Sequence, residues 1–234
     1  MRTFLIAATL LAAASPASAA TRNFGINSFE KLRIEGPYRV RLTTGVAPFA
    51  RATGSPAALE RIALEMRGNT LLVRANTSGW GGGYPGLDMG SVEITLGTHD
   101  LASASLTGSG ALQIDKVKGL AFDLSVQGSG VAAIGEANVD QLKVGVGGSG
   151  SATLAGQAGM MTAVVRGVSS LQAQNLATKD ATIGAEGTAT VDAKVTNSAK
   201  VDGNGAITVR FTGSPACTLR VSGSASVSGC KSTQ

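Results

Sequence analysis

From residue 102 onward, apolar and polar side chains alternate with period two, and the alternation itself recurs about every twenty residues. Small-residue turns anchored at Gly108, Gly128, Gly148, Gly167, Gly187, Gly203 and Gly223 punctuate it, at spacings of 20, 20, 19, 20, 16 and 20. Six positions before the first five anchors stand Ala102, Phe122, Leu142, Met161 and Ala181. Four before stand Ala104, Leu124, Val144, Ala163 and Ile183, and two before stand Leu106, Val126, Val146, Val165 and Ala185. The column five before is polar: Ser103, Asp123, Lys143, Thr162 and Thr182. After each turn the apolar positions resume at plus four (Leu112, Ala132, Ala152, Leu171, Val191) and plus six (Ile114, Ile134, Leu154, Ala173, Ala193). Each repeat therefore predicts two strands and two turns. One such unit cannot bury its apolar face alone, whereas stacked copies share a continuous core. The pattern predicts an all-β protein: a parallel β-helix, or β-solenoid, flattened to two main sheets, with about 20 residues per coil and strands ~4.8 Å apart along its axis.

The stacked register carries further expectations. Ser109, Ser129 and Ser149 would line one edge as a ladder of hydroxyls. Asp123 would face Lys143, Lys116 would face Glu136, and Arg166 would face Glu186, opposite charges meeting on neighbouring coils.

Before the repeats the pattern is less regular. Residues 29–35, 38–43, 62–67 and 71–75 read as short strands, with Gly68 and Asn69 as a hairpin turn and one helical turn over 56–61. Val92, Ile94 and Leu96 fit the plus-four, plus-six and plus-eight columns of a coil preceding Gly108. Residues 24–96 are thus read as irregular N-terminal coils that cap the open end, and 97–230 as the regular repeats, within one domain spanning 20–234. A glycine-rich stretch, 78–86, carries the sole Trp, Trp80, and one of two Tyr, Tyr84. These are the candidate ligand contacts, since exposed aromatics stack on sugar rings or anchor a protein partner. The competing reading makes Trp80 a lid over the solenoid end.

Residues 1–19 read as a secretory signal: Arg2, an apolar run over 4–14, and Ala17-Ser18-Ala19 as the cleavage site. The run is too short to span a bilayer, and no later segment approaches the ~20 apolar residues that would. The expectation is an exported protein, periplasmic or at the cell surface, with no integral membrane segment. Cys217 and Cys230 are the two cysteines, and after export they are expected to form a disulfide.

Composition agrees with a narrow aliphatic core. Glycine accounts for 32 of 234 residues, only 9 residues are aromatic, and 15% are charged. Without Arg2 there are 19 basic and 15 acidic residues, nine against seven over 21–100 and ten against eight over 101–234. A nucleic-acid binder concentrates its charge in a patch or stripe, so this even division excludes that partner class.

Chemistry finds little purchase. Gly145 to Gly150 matches the dinucleotide fingerprint G-x-G-x-x-G, but that motif needs a following helix, and here a strand continues. His99 is the sole histidine, which leaves no histidine cluster for a metal and one base for any triad. The enzyme alternative is a polysaccharide lyase or hydrolase, whose chemistry gathers carboxylates. Asp115, Glu136, Asp140 and Asp192 fall in different columns of the repeat, so no catalytic residue, cofactor or metal ligand is expected.

The 29–34 opening Phe-Glu-Lys-Leu-Arg-Ile, the 68–73 turn and strand Gly-Asn-Thr-Leu-Leu-Val, and the serial Gly-Ser-Gly turns together resemble the auto-transporter adhesin head (GIN) domain family. The likeness runs over about 29–227. It implies a secreted, right-handed, pectin-lyase-like β-helix without catalytic residues, associated with cell adhesion. Nothing after Gly223 resembles a translocator barrel. The expected function is non-enzymatic binding to a glycan, matrix component or cell-surface protein, with self-association as a further mode; a purely structural envelope role is the remaining alternative.

Overall fold

The structure, a computed structural model, describes residues 19–76 and 92–231. Its body is built from long bent strands: β9 (Ala111–Gly128), β10 (Val131–Gly148), β11 (Ser151–Gly167), β12 (Ser170–Gly187) and β13 (Thr190–Gly205). Each runs along one face, bends at a corner and continues along a second face, pairing in parallel with the next. The division shows at the C-terminal end, where the first half of β13 pairs β14 (Thr208–Thr212) and its second half pairs β15 (Ala216–Ser222). β16 (Ser226–Ser228) then pairs β14. The protein is the β-solenoid that the repeat predicts.

Alternation explains the core. Phe122, Leu142, Met161, Ala181 and Ala199 stand in file in the strand register, and all are buried. On the other face Leu112, Ala132, Ala152, Leu171, Val191 and Val209 form an equivalent buried file. One residue departs: Ala102 is exposed, and its neighbour Leu101 is buried instead. The corner anchors are Gly108, Gly128, Gly148, Gly167 and Gly187, as expected, but the next is Gly205 and not Gly203. Gly203 pairs with Ala185, two residues inside the strand, so the last coils contain 18 residues each. Register shifts at the opposite corner, between Ala173 and Ala177 for example, absorb these differences in coil length.

Ser109, Ser129 and Ser149 are exposed at equivalent corner positions, and the column continues as Val168 and Thr188. What repeats there is the backbone bond: Ser149 N donates to Gly128 O at 2.8 Å, and Val168 N to Gly148 O at 2.8 Å. The outward charges pair as the repeat requires, with Asp123 opposite Lys143, Lys116 opposite Glu136 and Arg166 opposite Glu186. The last forms an ion pair of 2.9 Å between exposed groups, worth at most ~1 kcal/mol.

The N-terminal end is interleaved. On the second face β5 (Ile62–Arg67) and β6 (Thr70–Ala75) form the expected antiparallel hairpin, and β6 then pairs β2 (Lys31–Glu35), which pairs β8 (Ser103–Gly108). On the first face β1 (Ala20–Phe24) pairs β4 (Phe49–Gly54), β4 pairs β7 (Glu93–Thr98), and β7 pairs β3 (Arg39–Thr44), which pairs β9. The β2–β3 coil therefore lies between layers formed by later parts of the chain. This corrects the placing of Val92, Ile94 and Leu96: Ile94 pairs Val40, which pairs Leu112, so Ile94 occupies the plus-four column and Leu96 the plus-six column, with β3 intervening before β9. β1, outside β4 on the first face, and β5 on the second are the edge strands of this end, and the short helix α1 (Pro56–Glu60) links β4 to β5. Ser55 caps α1 by accepting the Ala58 amide at 3.2 Å. Thr98, fully buried, holds the entry of β2: its Oγ1 donates to Phe29 O at 2.5 Å and accepts from Phe29 N at 3.3 Å.

The disulfide between Cys217 and Cys230 is formed, with Cα atoms 5.7 Å apart. It ties β15 to the segment after β16 and so fastens the last coil.

Candidate functional site

Trp80 and Tyr84, the sequence-level candidates, lie outside the described residues. Of residues 1–19, read from the sequence as a secretory signal, 1–18 also lie outside them. What the structure adds is a concentration of arginine at the interleaved end. Residues 19–76 hold nine basic and four acidic side chains, whereas 92–231 hold ten of each. The even division found in the sequence arose from counting across residue 76, because Asp88, Glu93 and Asp100 then balance the arginines.

On the second face, β5, β6 and β2 lie side by side and enclose a shallow cleft of about 390 Å³ bordered by Arg33, Glu35, Arg67, Thr70, Leu72 and Arg74. Outward positions of three neighbouring strands supply its charges, because alternation sends Leu32, Ile34 and Val73 into the core. Arg33 Nε donates to Glu35 Oε1 at 2.7 Å. Glu65 accepts from Arg74 Nη2 at 2.6 Å and from Arg67 Nη2 at 3.2 Å. The Arg74 bond, helped by Arg67, holds the Glu65 carboxyl below its ordinary range, so it stays ionised and keeps both guanidinium groups in place. Arg74 Nε is covered and donates to nothing. Leu72, outward but covered by its neighbours, forms an apolar floor.

The first face carries a second cleft, of about 280 Å³, between Arg39, Arg41 and Glu93 on one side and Ala111, Gln113, Val131 and Ala133 on the other. Arg41 pairs with Glu93 at 2.9 Å. Small side chains at positions 111 and 133 leave the hollow; Val131 at its rim is 48% exposed.

The outward carboxylates of the repeats face unlike residues: Glu136 faces Lys116, Asp123 faces Lys143, and Asp192 faces Gln172 and Arg210. Asp180 is the one among them whose ionisation its hydrogen bonds favour. It accepts from Ser198 Oγ at 2.5 Å and Asn197 Nδ2 at 2.7 Å, and these bonds hold its carboxyl below the ordinary range. Among the described residues no group of His, Cys, Asp and Glu is placed to hold a metal, and no helix is long and apolar enough to cross a membrane. His99 is exposed at a turn, where its carbonyl accepts the Gly45 amide at 2.9 Å.

Solved structures share this architecture. A "putative adhesin" of Bacteroides fragilis superposes with a TM-score of 0.75 at 19% identity, covering 91% of this chain and 97% of its own. A "putative adhesin" of Parabacteroides distasonis gives 0.68 at 15% identity, covering 90% and 96%. A "putative lipid binding protein" of the same organism gives 0.65 at 16% identity, covering 89% and 95%. At these identities the likeness is one of fold. No curated protein matches the sequence significantly. A family model matches residues 28–215, most of the cap and the coils, and the chain belongs to the family described as "Putative auto-transporter adhesin, head GIN domain".

Proposed function

We propose that this protein is a non-enzymatic binding protein of the cell envelope, exported to the periplasm or the cell surface, which attaches to a glycan, a matrix component or a surface protein. The observation that carries this reading is the pair of open, arginine-edged clefts on a frame whose interior is filled by aliphatic files. Such a surface recognises by fixed charge and shape. Membership of an adhesin-named family and the formed disulfide support the same reading. The pairing of outward carboxylates with basic or neutral residues favours it over a polysaccharide-cleaving enzyme, which needs two carboxylates on one substrate.

The test joins location to binding. Fractionated cells and purified mature chain are assayed in parallel, the latter for saturable attachment to whole cells and for release of reducing or unsaturated ends from acidic polysaccharides. Export with saturable attachment and no release supports the proposal. Turnover, or retention in the cytoplasm, overturns it.

A further inference from the structure

We infer that the cleft between β5, β6 and β2 is a docking site for an acidic polysaccharide of the polyuronate type, an inference that rests on the binding reading above and names its ligand class. The donors come first. A guanidinium carries five N–H groups, and the contacts among the described residues use one each on Arg33, Arg67 and Arg74, while Arg74 Nε is covered. The two carboxylates thus orient three cations without saturating them. Lys31, opposite Thr70 in the strand register, adds a fourth cation beside the cleft.

Spacing comes second. β5, β6 and β2 are adjacent strands, ~4.8 Å apart, so the three guanidinium groups are distributed over about 10 Å of rigid sheet. A flexible loop would place a single anion anywhere, whereas a fixed array suits a ligand whose charges recur along its length. Arginine in particular offers carboxylate a planar, two-pronged partner. Thr70 lines the cleft between those charges, beside the covered Leu72.

Other polyanions fit less well. A lipid surface is held by inserted apolar side chains together with charge. The exposed large apolar residues among those described are Phe49, Leu120, Val131, Met160, Val168, Leu219 and Val221, and none borders this cleft. Single-stranded nucleic acid is gripped by aromatic stacking, and no aromatic side chain among the described residues lines the cleft.

The experiment uses the full mature chain and polygalacturonate, with dextran as the neutral control and vesicles of mixed phosphatidylglycerol and phosphatidylcholine as a second arm. Affinity electrophoresis at two salt concentrations reads the binding. The substitutions are the double change Arg33→Gln with Arg67→Gln, both exposed positions, and Arg210→Gln as an ion-paired control at the far end. Expected are salt-sensitive retardation by polygalacturonate alone, a loss of about tenfold in affinity in the double variant, and a change within twofold in the control. Thermal midpoints of all three chains within ~3 °C exclude unfolding as the cause. A double variant that unfolds is replaced by the Lys31→Gln, Arg33→Gln pair, judged by the same readout. Equal losses in the variant and the control, or retardation by dextran, overturn the inference, as does binding to the vesicles without binding to polygalacturonate. Whole-cell attachment, measured on the same chains, separates the two levels. Attachment unaffected by the double change sinks the cleft and leaves the adhesion reading standing, while no attachment by the wild type sinks the adhesion reading.

Discussion

Gly128→Ala tests the stacked corner directly. Gly128 closes the turn after β9 at φ +102°, where an added Cβ would stand 2.7 Å from the Gly108 carbonyl oxygen and 3.2 Å from its carbon. That oxygen already accepts the Ser129 amide at 3.1 Å. Both groups are backbone held in a ladder, so neither can swing aside as a flexible side chain would. The left-handed conformation alone costs an L-residue ~1–2 kcal/mol, and forcing two packed coils apart adds ~1–3 kcal/mol. The sum is about 2–5 kcal/mol. Gly68, in the β5–β6 hairpin, has φ +60° with nothing within 4 Å of where a methyl group would sit, so Gly68→Ala incurs only the first cost. In a chain of this length each kcal/mol lowers the thermal midpoint by ~2–4 °C. Gly128→Ala is therefore expected to fall by about 10 °C and Gly68→Ala by about 4 °C, measured by circular dichroism on mature chains. Because solenoid stability passes between neighbouring coils, hydrogen exchange should quicken first at Ser129 and Val131. Equal midpoints for the two variants would refute the reasoning.

Three further outcomes follow from the same packing and hydrogen bonding. Leu142→Ala opens the file between Phe122 and Met161 and is expected to cost ~3–5 kcal/mol, whereas Met161→Leu keeps the volume and costs under ~1.5 kcal/mol; urea midpoints distinguish them. Cys217→Ser removes a loop closure worth about 3 kcal/mol by chain entropy, and exchange rates should rise in β15 and β16 while those of β10 stay unchanged. Asp180, with its carboxyl depressed in the folded state, adds stability above the usual aspartate range that is lost as pH falls through the folded value. Ser198→Ala should move the Asp180 titration, followed by carboxyl carbon NMR, upward toward the ordinary value, and no movement would count against the hydrogen bond as its cause.

The repeat was legible because side-chain direction alternates strictly along a strand, so Leu124, Val144 and Ile183 could be aligned from spacing alone. Strand β4 was not legible. Its buried residues are the small Ala50, Ala52 and Gly54, while the large Phe49 faces outward with Arg51, so hydrophobic size does not mark its inner face. Phe49 covers Gly97, where a Cβ would collide with its ring, a fit between strands that no local pattern encodes. The Gly203–Gly205 ambiguity has a similar root: both glycines stand in one short stretch, and only pairing with Gly187 selects the second. The arginine cleft was hidden for a topological reason. Arg33 and Arg67 are 34 positions apart in sequence and become near neighbours through the β2–β6 pairing.

The interleaving of β2 and β3 bears on how the chain acquires its shape. Synthesis proceeds from the N-terminus, yet β2 cannot be completed until β6 and β8 exist, the latter ending at Gly108. Sequential winding is thus impossible for the first coils, while β9 to β13 can add one layer upon another with short-range closure. The arginine-bearing cap depends on pairing between segments far apart in sequence, whereas each regular coil depends on its immediate neighbours.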